Sequence, residues 1–298
     1  MAYGIGIFIA ERIAAAAVAN HAVVAPVVAF PEDHSMSDAL HGMPAENIVS
    51  QIVYLVEGLK LKDAPTHVGI GMPGIVRNGV IEDSPNLIQF KGVNMKALVE
   101  AALARIMGPV RVEIFNDADV VAAGIAATRG HLDRLIRVWT LGNGIGYGRY
   151  PFLEGFWEAG HMVVTLDAKE HYCGCGGRGH LEGIMGHRAM RLRFMDMEPE
   201  DIFEQAKGGD ARCVDFVKMW HRALAAATAT SIHLDGPGKF YVTGFNARFL
   251  NPTLLLEYLN EMVKLSPLQG YSIEIVEGSE DAATIGAAVN AAQAVTRQ

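Results

Sequence analysis

Leu135-Ile136-Arg137-Val138-Trp139-Thr140-Leu141-Gly142-Asn143-Gly144-Ile145-Gly146-Tyr147-Gly148 reads as an apolar strand, a glycine-rich turn and the start of a returning strand (Tyr147–Phe152). The same pattern opens the chain. Tyr3–Ala10 is apolar and β-rich, Glu11-Arg12 marks a turn, Ile13–Val18 runs back, and Asn20-His21 turns again into Val23–Phe30. Gly4-Ile5-Gly6-Ile7 faintly echoes Gly144-Ile145-Gly146. After each hairpin, helices and strands alternate. Pro44–Leu61, Met95–Met107 and Ala118–Ala127 have helical patterns, with strands at Thr66–Met72 and Val110–Phe115. In the second half, helices are expected at Ala211–Ile232, Pro252–Leu265 and Asp281–Thr296, and strands at Phe240–Thr243 and Tyr271–Val276. The expected architecture is a duplicated α/β unit, two-lobed with a cleft between the lobes.

Composition narrows the function. The chain has 298 residues, of which 50% are hydrophobic and 19% charged, enough apolar material for two sizeable cores. Its net charge of -8 and lack of Lys/Arg runs argue against nucleic acid and against anionic membrane as partners. The apolar stretch Ile13–Phe30 is broken by Asn20, His21 and Pro26, which excludes a membrane span. With Glu11-Arg12 interrupting the N-terminal apolar segment, no signal peptide is read there. Three cysteines cannot build a disulfide framework, so a reducing, cytoplasmic setting is expected.

Two of those cysteines point elsewhere. His161, Cys173, Cys175 and His180 fall within twenty residues, with four glycines between Cys173 and His180. Two thiolates and two imidazoles are the donor set of a closed tetrahedral zinc site, and the glycines let the chain turn tightly around an ion. His171 competes as a ligand, and the bland alternative is a glycine-rich surface loop. Cys213 lies in an apolar helical stretch and reads as a buried small hydrophobe.

Asn116-Asp117 ends an apolar strand and opens a helix, where α/β proteins place ligand-binding groups. An aspartate there is either a helix cap or a general base that takes a proton from an attacking substrate hydroxyl, with Asn116 binding the same substrate. Glu158, His161 and Glu182 flank the cysteine loop. Folded around zinc, they would form a polar wall suited to a polyhydroxyl ligand.

Together these segments resemble the ROK family of sugar kinases and sugar-responsive repressors over nearly the whole chain. The family's zinc motif stands as Gly160-His161 followed by Cys173-Gly174-Cys175-Gly176-Gly177-Arg178-Gly179-His180-Leu181-Glu182, with His180 replacing the family's last cysteine. Glu158-Ala159-Gly160-His161, Asn116-Asp117-Ala118-Asp119, Gly71-Met72-Pro73-Gly74 and Pro85-Asn86-Leu87 match further family segments. The resemblance implies a ribonuclease-H-like, actin/hexokinase-type fold with a sugar in the cleft. It implies a small lobe over residues 1–117 completed by a C-terminal helix at 281–298, and a large lobe over 118–280 carrying the zinc loop 161–182. By the same analogy Asp117 is the catalytic base, and Gly74, Asn116, Glu158, His161 and Glu182 bind the sugar. Magnesium-bound ATP would be the phosphoryl donor, and a homodimer or homotetramer the assembly. The family's repressors carry an extra N-terminal helix-turn-helix; with the first strand read at Tyr3–Ala10, a DNA-binding role is not expected.

The departures lie on the nucleotide side. The family's first phosphate loop, Asp-x-Gly-Gly-Thr, is matched by Gly6-Ile7-Phe8-Ile9-Ala10. It lacks the carboxylate that would position Mg²⁺ and the two adjacent glycines that would let backbone N–H groups approach phosphate. The second loop keeps Gly142, Gly144 and Gly146, with Asn143 in place of a threonine, and the C-terminal nucleotide segment retains Gly244 alone in Thr243-Gly244-Phe245-Asn246. A sugar kinase is the leading expectation. The alternatives are a kinase with a donor other than ATP, a non-catalytic sugar sensor, and an α/β protein whose cleft binds something else.

Overall fold

Alternation of glycine with β-branched residues determines how the first strands pack. In the computed structural model, which describes residues 3–33, 39–85, 87–153, 155, 158–265, 269–278 and 280–296, β1 (Gly4–Ile9) is buried on both faces. Ile5, Ile7 and Ile9 enter one core, while Gly4 and Gly6 lie on the other face. The remaining elements follow in chain order. They are β2 (Ile13–Ala19), β3 (Ala22–Val23), β4 (Val28–Phe30), α1 (Ala45–Gly58), β5 (Val68–Met72), β6 (Ile75–Arg77), β7 (Val80–Asp83), α2 (Met95–Met107), β8 (Val112–Asn116), α3 (Asp117–Thr128), β9 (Ile136–Leu141) and β10 (Ile145–Tyr150). Then come α4 (Leu181–Met185), α5 (His187–Arg193), α6 (Pro199–Lys207), α7 (Ala211–Asp235), β11 (Lys239–Thr243), α8 (Pro252–Met262), β12 (Ser272–Ile275) and α9 (Glu280–Thr296).

Contacts divide the chain into two units. One holds residues 1–136, 148–156 and 278–298; the other holds 137–147 and 157–277. The division therefore falls at Ile136, where 117 was expected from the sequence, because α3 packs on α9 and stays with the first unit.

The first unit is built on a six-stranded sheet with order β3-β2-β1-β5-β8 and β4 beside β2. β1 and β2 form the opening hairpin; β1, β5 and β8 run parallel. Ile48, Ile52 and Leu55 of α1 and Val99 and Leu103 of α2 cover the isoleucine face. The glycine face receives α9 at backbone distance. A Cβ on Gly6 would lie 1.7 Å from the Thr284 carbonyl oxygen, and one on Gly69 of β5 would lie 1.9 Å from that of Ala287. α9 also presses on α3, with Gly286 against the Val120 backbone.

The second unit repeats the plan, with strand order β10-β9-β11-β12. Its core gathers Trp139 and Leu141, Phe240 and Val242, and Trp220 and Leu224. β10 leaves this unit after Tyr147.

Three local readings change. Val23–Phe30 is not one strand. It breaks into β3 and β4 around Pro26, which has no N–H for a ladder. A hairpin, β6–β7, occupies a stretch to which no element was assigned. Its Asn78-Gly79 corner, at φ 50° and 78°, is a tight-hairpin signal the sequence carries openly. Helices α4 to α6 fill 181–207, where no element was assigned. Pro199 at the first turn and the Glu198–Asp201 capping box mark the start of α6. Asn86 of the Pro-Asn-Leu segment and residues 297–298 lie outside the described residues. Among the described residues, no helix is long and apolar enough to cross a membrane.

Candidate functional site

In the first unit, β8 delivers Asn116 and Asp117 to the carboxyl end of a parallel strand. Asn116 is the N-cap of α3. Its Oδ1 accepts the Ala118 N–H at 2.9 Å, and its Nδ2 donates to the Gly74 carbonyl at 3.0 Å. Asp117 Oδ1 accepts the same N–H at 2.9 Å. The N-cap is therefore Asn116, and Asp117 shares the Ala118 N–H. Gly74 sits at φ 119°, a backbone conformation that favours glycine, and a Cβ there would lie 2.3 Å from the Asp83 carbonyl oxygen. The Gly74 turn and the Asn116 amide thus fix each other.

Two residues beyond Asp117 lies a residue that the sequence reading quoted but gave no role. Asp119 is buried, with its Oδ1 accepting the Arg149 N–H at 3.0 Å. Burial pushes its carboxyl up to about 7, and the charge of Asp117 adds to the effect against the pull of the Arg149 N–H. The folded chain therefore holds this proton more tightly than the unfolded chain does. That contribution to stability is complete below about pH 4 and is lost as pH rises to about 7. Asp119→Asn keeps the acceptor and removes the charge. It is expected to stabilise the protein by roughly 2–4 kcal/mol at pH 8 and to change little at pH 4, measured by urea unfolding at both values.

The first hairpin is closed on itself. The Ala10 N–H donates to the Arg12 carbonyl at 3.0 Å, and Arg12 pairs with Glu280. Phe8 packs with Phe115, Val120 and Ala287. No carboxylate stands in Gly6–Ala10, so these residues do not fit a magnesium-bound phosphate.

The second unit holds the cysteine loop. His161, Cys173, Cys175 and His180 converge so that their ligand atoms all lie within 4.8 Å of one another. Cys173 Sγ is 3.4 Å from His161 Nδ1 and 3.3 Å from Cys175 Sγ, which is itself 3.3 Å from His180 Nδ1. An isolated bridge, Val163 to His180, holds the loop's two ends together. The donor set and its closure fit a tetrahedral zinc ion. Burial first, then the neighbouring Cys175 thiol and Glu182, push the Cys173 thiol up to about 12; a bound dication would reverse that by stabilising the thiolate. His171 stacks on Tyr172 and stands outside the cluster. Cys213 is fully buried, as expected of a small hydrophobe.

Glu158 and Glu182 are gathered onto this cluster. His161 turns Nδ1 to the thiol while its Nε2 lies 3.8 Å from a Glu158 oxygen. Glu182 Oε2 accepts the Ile145 N–H at 3.1 Å, tying the cluster to the Gly142–Gly148 loop. A Cβ on Gly144 would lie 2.5 Å from that same oxygen. Asn246, fully buried and absent from the sequence-level candidates, donates to the Gly142 carbonyl at 3.1 Å and meets His187 Nδ1 at 3.1 Å. It joins the loop at Gly142 to the segment after Gly244. Its neighbour in Thr243-Gly244-Phe245-Asn246 was the only sequence signal.

Comparison with known proteins follows the same lines. The chain is 30% identical over 238 residues to a glucokinase from Pyrobaculum calidifontis, covering 74% of this chain and 77% of that protein. A ROK hexokinase from Thermus thermophilus has the same fold, with a TM-score of 0.81 at 21% identity, covering 99% of this chain and 100% of that one. A ROK family glucokinase from Streptomyces griseus, solved with glucose and AMPPNP, matches with a TM-score of 0.67 at 24% identity, covering 98% and 99%. The ROK family model matches residues 33–294, a span holding Asp117, the Cys/His cluster and both glycine loops of the second unit, and the chain belongs to the ROK family.

Proposed function

We propose that the chain phosphorylates a hexose or hexose derivative, with Asp117 as general base. The observation that carries the reading is the placement of Asp117 at the carboxyl end of a parallel strand, on a turn fixed by Asn116 and Gly74. A carboxylate held there is suited to accept a proton from a substrate hydroxyl as that oxygen attacks phosphorus. Asn116 and Gly74 position it, while Glu158 and Glu182 accept hydrogen bonds from sugar hydroxyls and His161, with Nδ1 turned to the metal cluster, donates its Nε2–H to one. The glucokinase relative supports a hexose as acceptor.

The donor in this reading is ATP, cradled by Gly142, Asn143, Gly144 and Gly146, with Gly244 beyond. Magnesium, when bound to the nucleotide, would neutralise phosphate charge. No residue of the first hairpin is assigned to it. Zinc would be held by His161, Cys173, Cys175 and His180, bracing Glu158 and Glu182. One observation favours a second reading, a donor other than a nucleotide or a sugar sensor without catalysis: Phe8 fills with carbon the place where the resemblance expects a phosphate-facing glycine, and Gly6 stands where it expects the carboxylate.

Calorimetric titration of the zinc-loaded chain with Mg·ATP, with and without a panel of hexoses, separates these. Micromolar to low-millimolar binding (about 4–8 kcal/mol) strengthened by one hexose is the expected result. A hexose bound with no ATP binding would overturn the nucleotide donor, and polyphosphate turnover in a coupled assay would then replace it.

A further inference from the structure

At the end of the first sheet opposite Asp117 lies a cavity of about 380 Å³. Residues at the amino ends of β1 and β5 line it, including Gly4 and His67, together with α9 through Ala288 and Ala292. The Asn20-His21 corner between β2 and β3, at φ 50° and 62°, forms part of its rim. Its volume is within the range that takes small molecules.

The chemistry of the lining restricts the occupant. Asp, Glu, Lys and Arg are absent among the described residues that line it, and burial lowers the His67 imidazole from its ordinary value, so that it is neutral at pH 7. A fixed charge would meet no counter-charge there. Most of the wall is apolar, from Val18 and Leu132 to Val289, and suits a ring face. The rest carries uncharged hydrogen-bonding groups. At Gln293, Nε2 reaches the Tyr150 hydroxyl while Oε1 is buried without a partner. A donor-bearing ligand beside it, with a small rotation of the amide, supplies the missing bond.

Two elements connect this cavity to the candidate base. α3 begins at Asp117, and Leu132, four residues beyond its end, lines the cavity. A twelve-residue helix spans about 18 Å, so α3 is a rod with the base at one end and the cavity at the other. α9 runs beside it, lining the cavity with one face and touching Asp119 with another, where Asn290 Nδ2 donates to the Asp119 carbonyl at 3.5 Å. With Gly286 seated on the Val120 backbone, neither helix has slack to shift alone.

We propose that this cavity is a regulatory site for an uncharged heteroaromatic molecule of nucleoside size, and that its occupancy is transmitted along α3 and α9 to the turn that carries Asp117. The test titrates the full-length chain with adenosine, guanosine, cytidine and uridine, by calorimetry and ligand-observed NMR, in saturating Mg·ATP. At least one nucleoside is expected to bind saturably below millimolar concentration. Ala292→Trp, which fills the space, should weaken that binding at least tenfold, and Gln293→Leu several-fold. Amide hydrogen exchange over residues 117–123 should slow in the bound state. Leu132→Trp, on a loop, fills the cavity from a second element should Ala292→Trp not fold. Absence of binding by all four nucleosides, binding unchanged in the tryptophan variants, or unchanged exchange at 117–123 would each overturn the proposal. None of these readouts depends on whether the chain turns over a hexose.

Discussion

Asp117→Asn is expected to lower kcat for hexose phosphorylation by about 10²-fold or more, with sugar binding nearly intact. The variant keeps Oδ1, so the Ala118 N–H keeps both of its acceptors, and the Asn116 cap is untouched. Loss of a helix cap, usually worth about 1 kcal/mol, therefore does not confuse the result. What the amide loses is the ability to take a proton. Asp117→Ala should behave alike in turnover and cost little stability, because Asn116 alone still caps α3. Full turnover in either variant would remove Asp117 from the base role. A shared fall in activity and melting temperature would instead assign it to the cap.

The second large effect concerns the Cys/His cluster. Cys175→Ser, or prolonged chelation, is expected to remove about one zinc per chain and to lower the melting temperature by ~10 °C or more. The magnitude follows from the surroundings. Residues 162–180 contribute no helix or strand, only turns, one isolated bridge and the buried Glu170–Arg193 ion pair, so an ion on the cluster would be a main support of the loop's cysteine end. Glu158 and Glu182 lie against this loop, and the sugar KM should rise with metal loss. Metal analysis alongside thermal unfolding checks both. Full stability without metal would show that the loop folds unaided.

Much of this was legible in the residues, for particular reasons. β1 and β5 could be read because glycine and isoleucine alternate with period two. Met95–Met107 was legible because Gly108-Pro109 stops its helical pattern, and its observed limits are those expected. The Cys/His cluster was legible because thiols and imidazoles at such spacing have few other uses. Helices α4 to α6 were missed because their apolar positions are short and follow a glycine-rich loop, which hides the onset of a 3.6-residue period. Asp119 and Asn246 were missed for a different reason. Their roles depend on burial and on partners 30 and 104 residues away, and neither is visible in local pattern.

The glycine-seated helix α9 has a consequence for biosynthesis. It fills the face of β1 and β5, yet roughly 140 residues separate it from residues 1–136, which hold those strands. At about 5–20 residues per second, the ribosome needs roughly 7–30 s to make that intervening stretch. Throughout that interval Gly6, Gly69 and Gly124 face no partner, and the nascent first sheet stands half-covered. The second unit, made from chain emerging in the interval, is complete first. Chaperone dependence during translation is thus to be sought at the beginning of the chain, where the wait for a covering helix is longest.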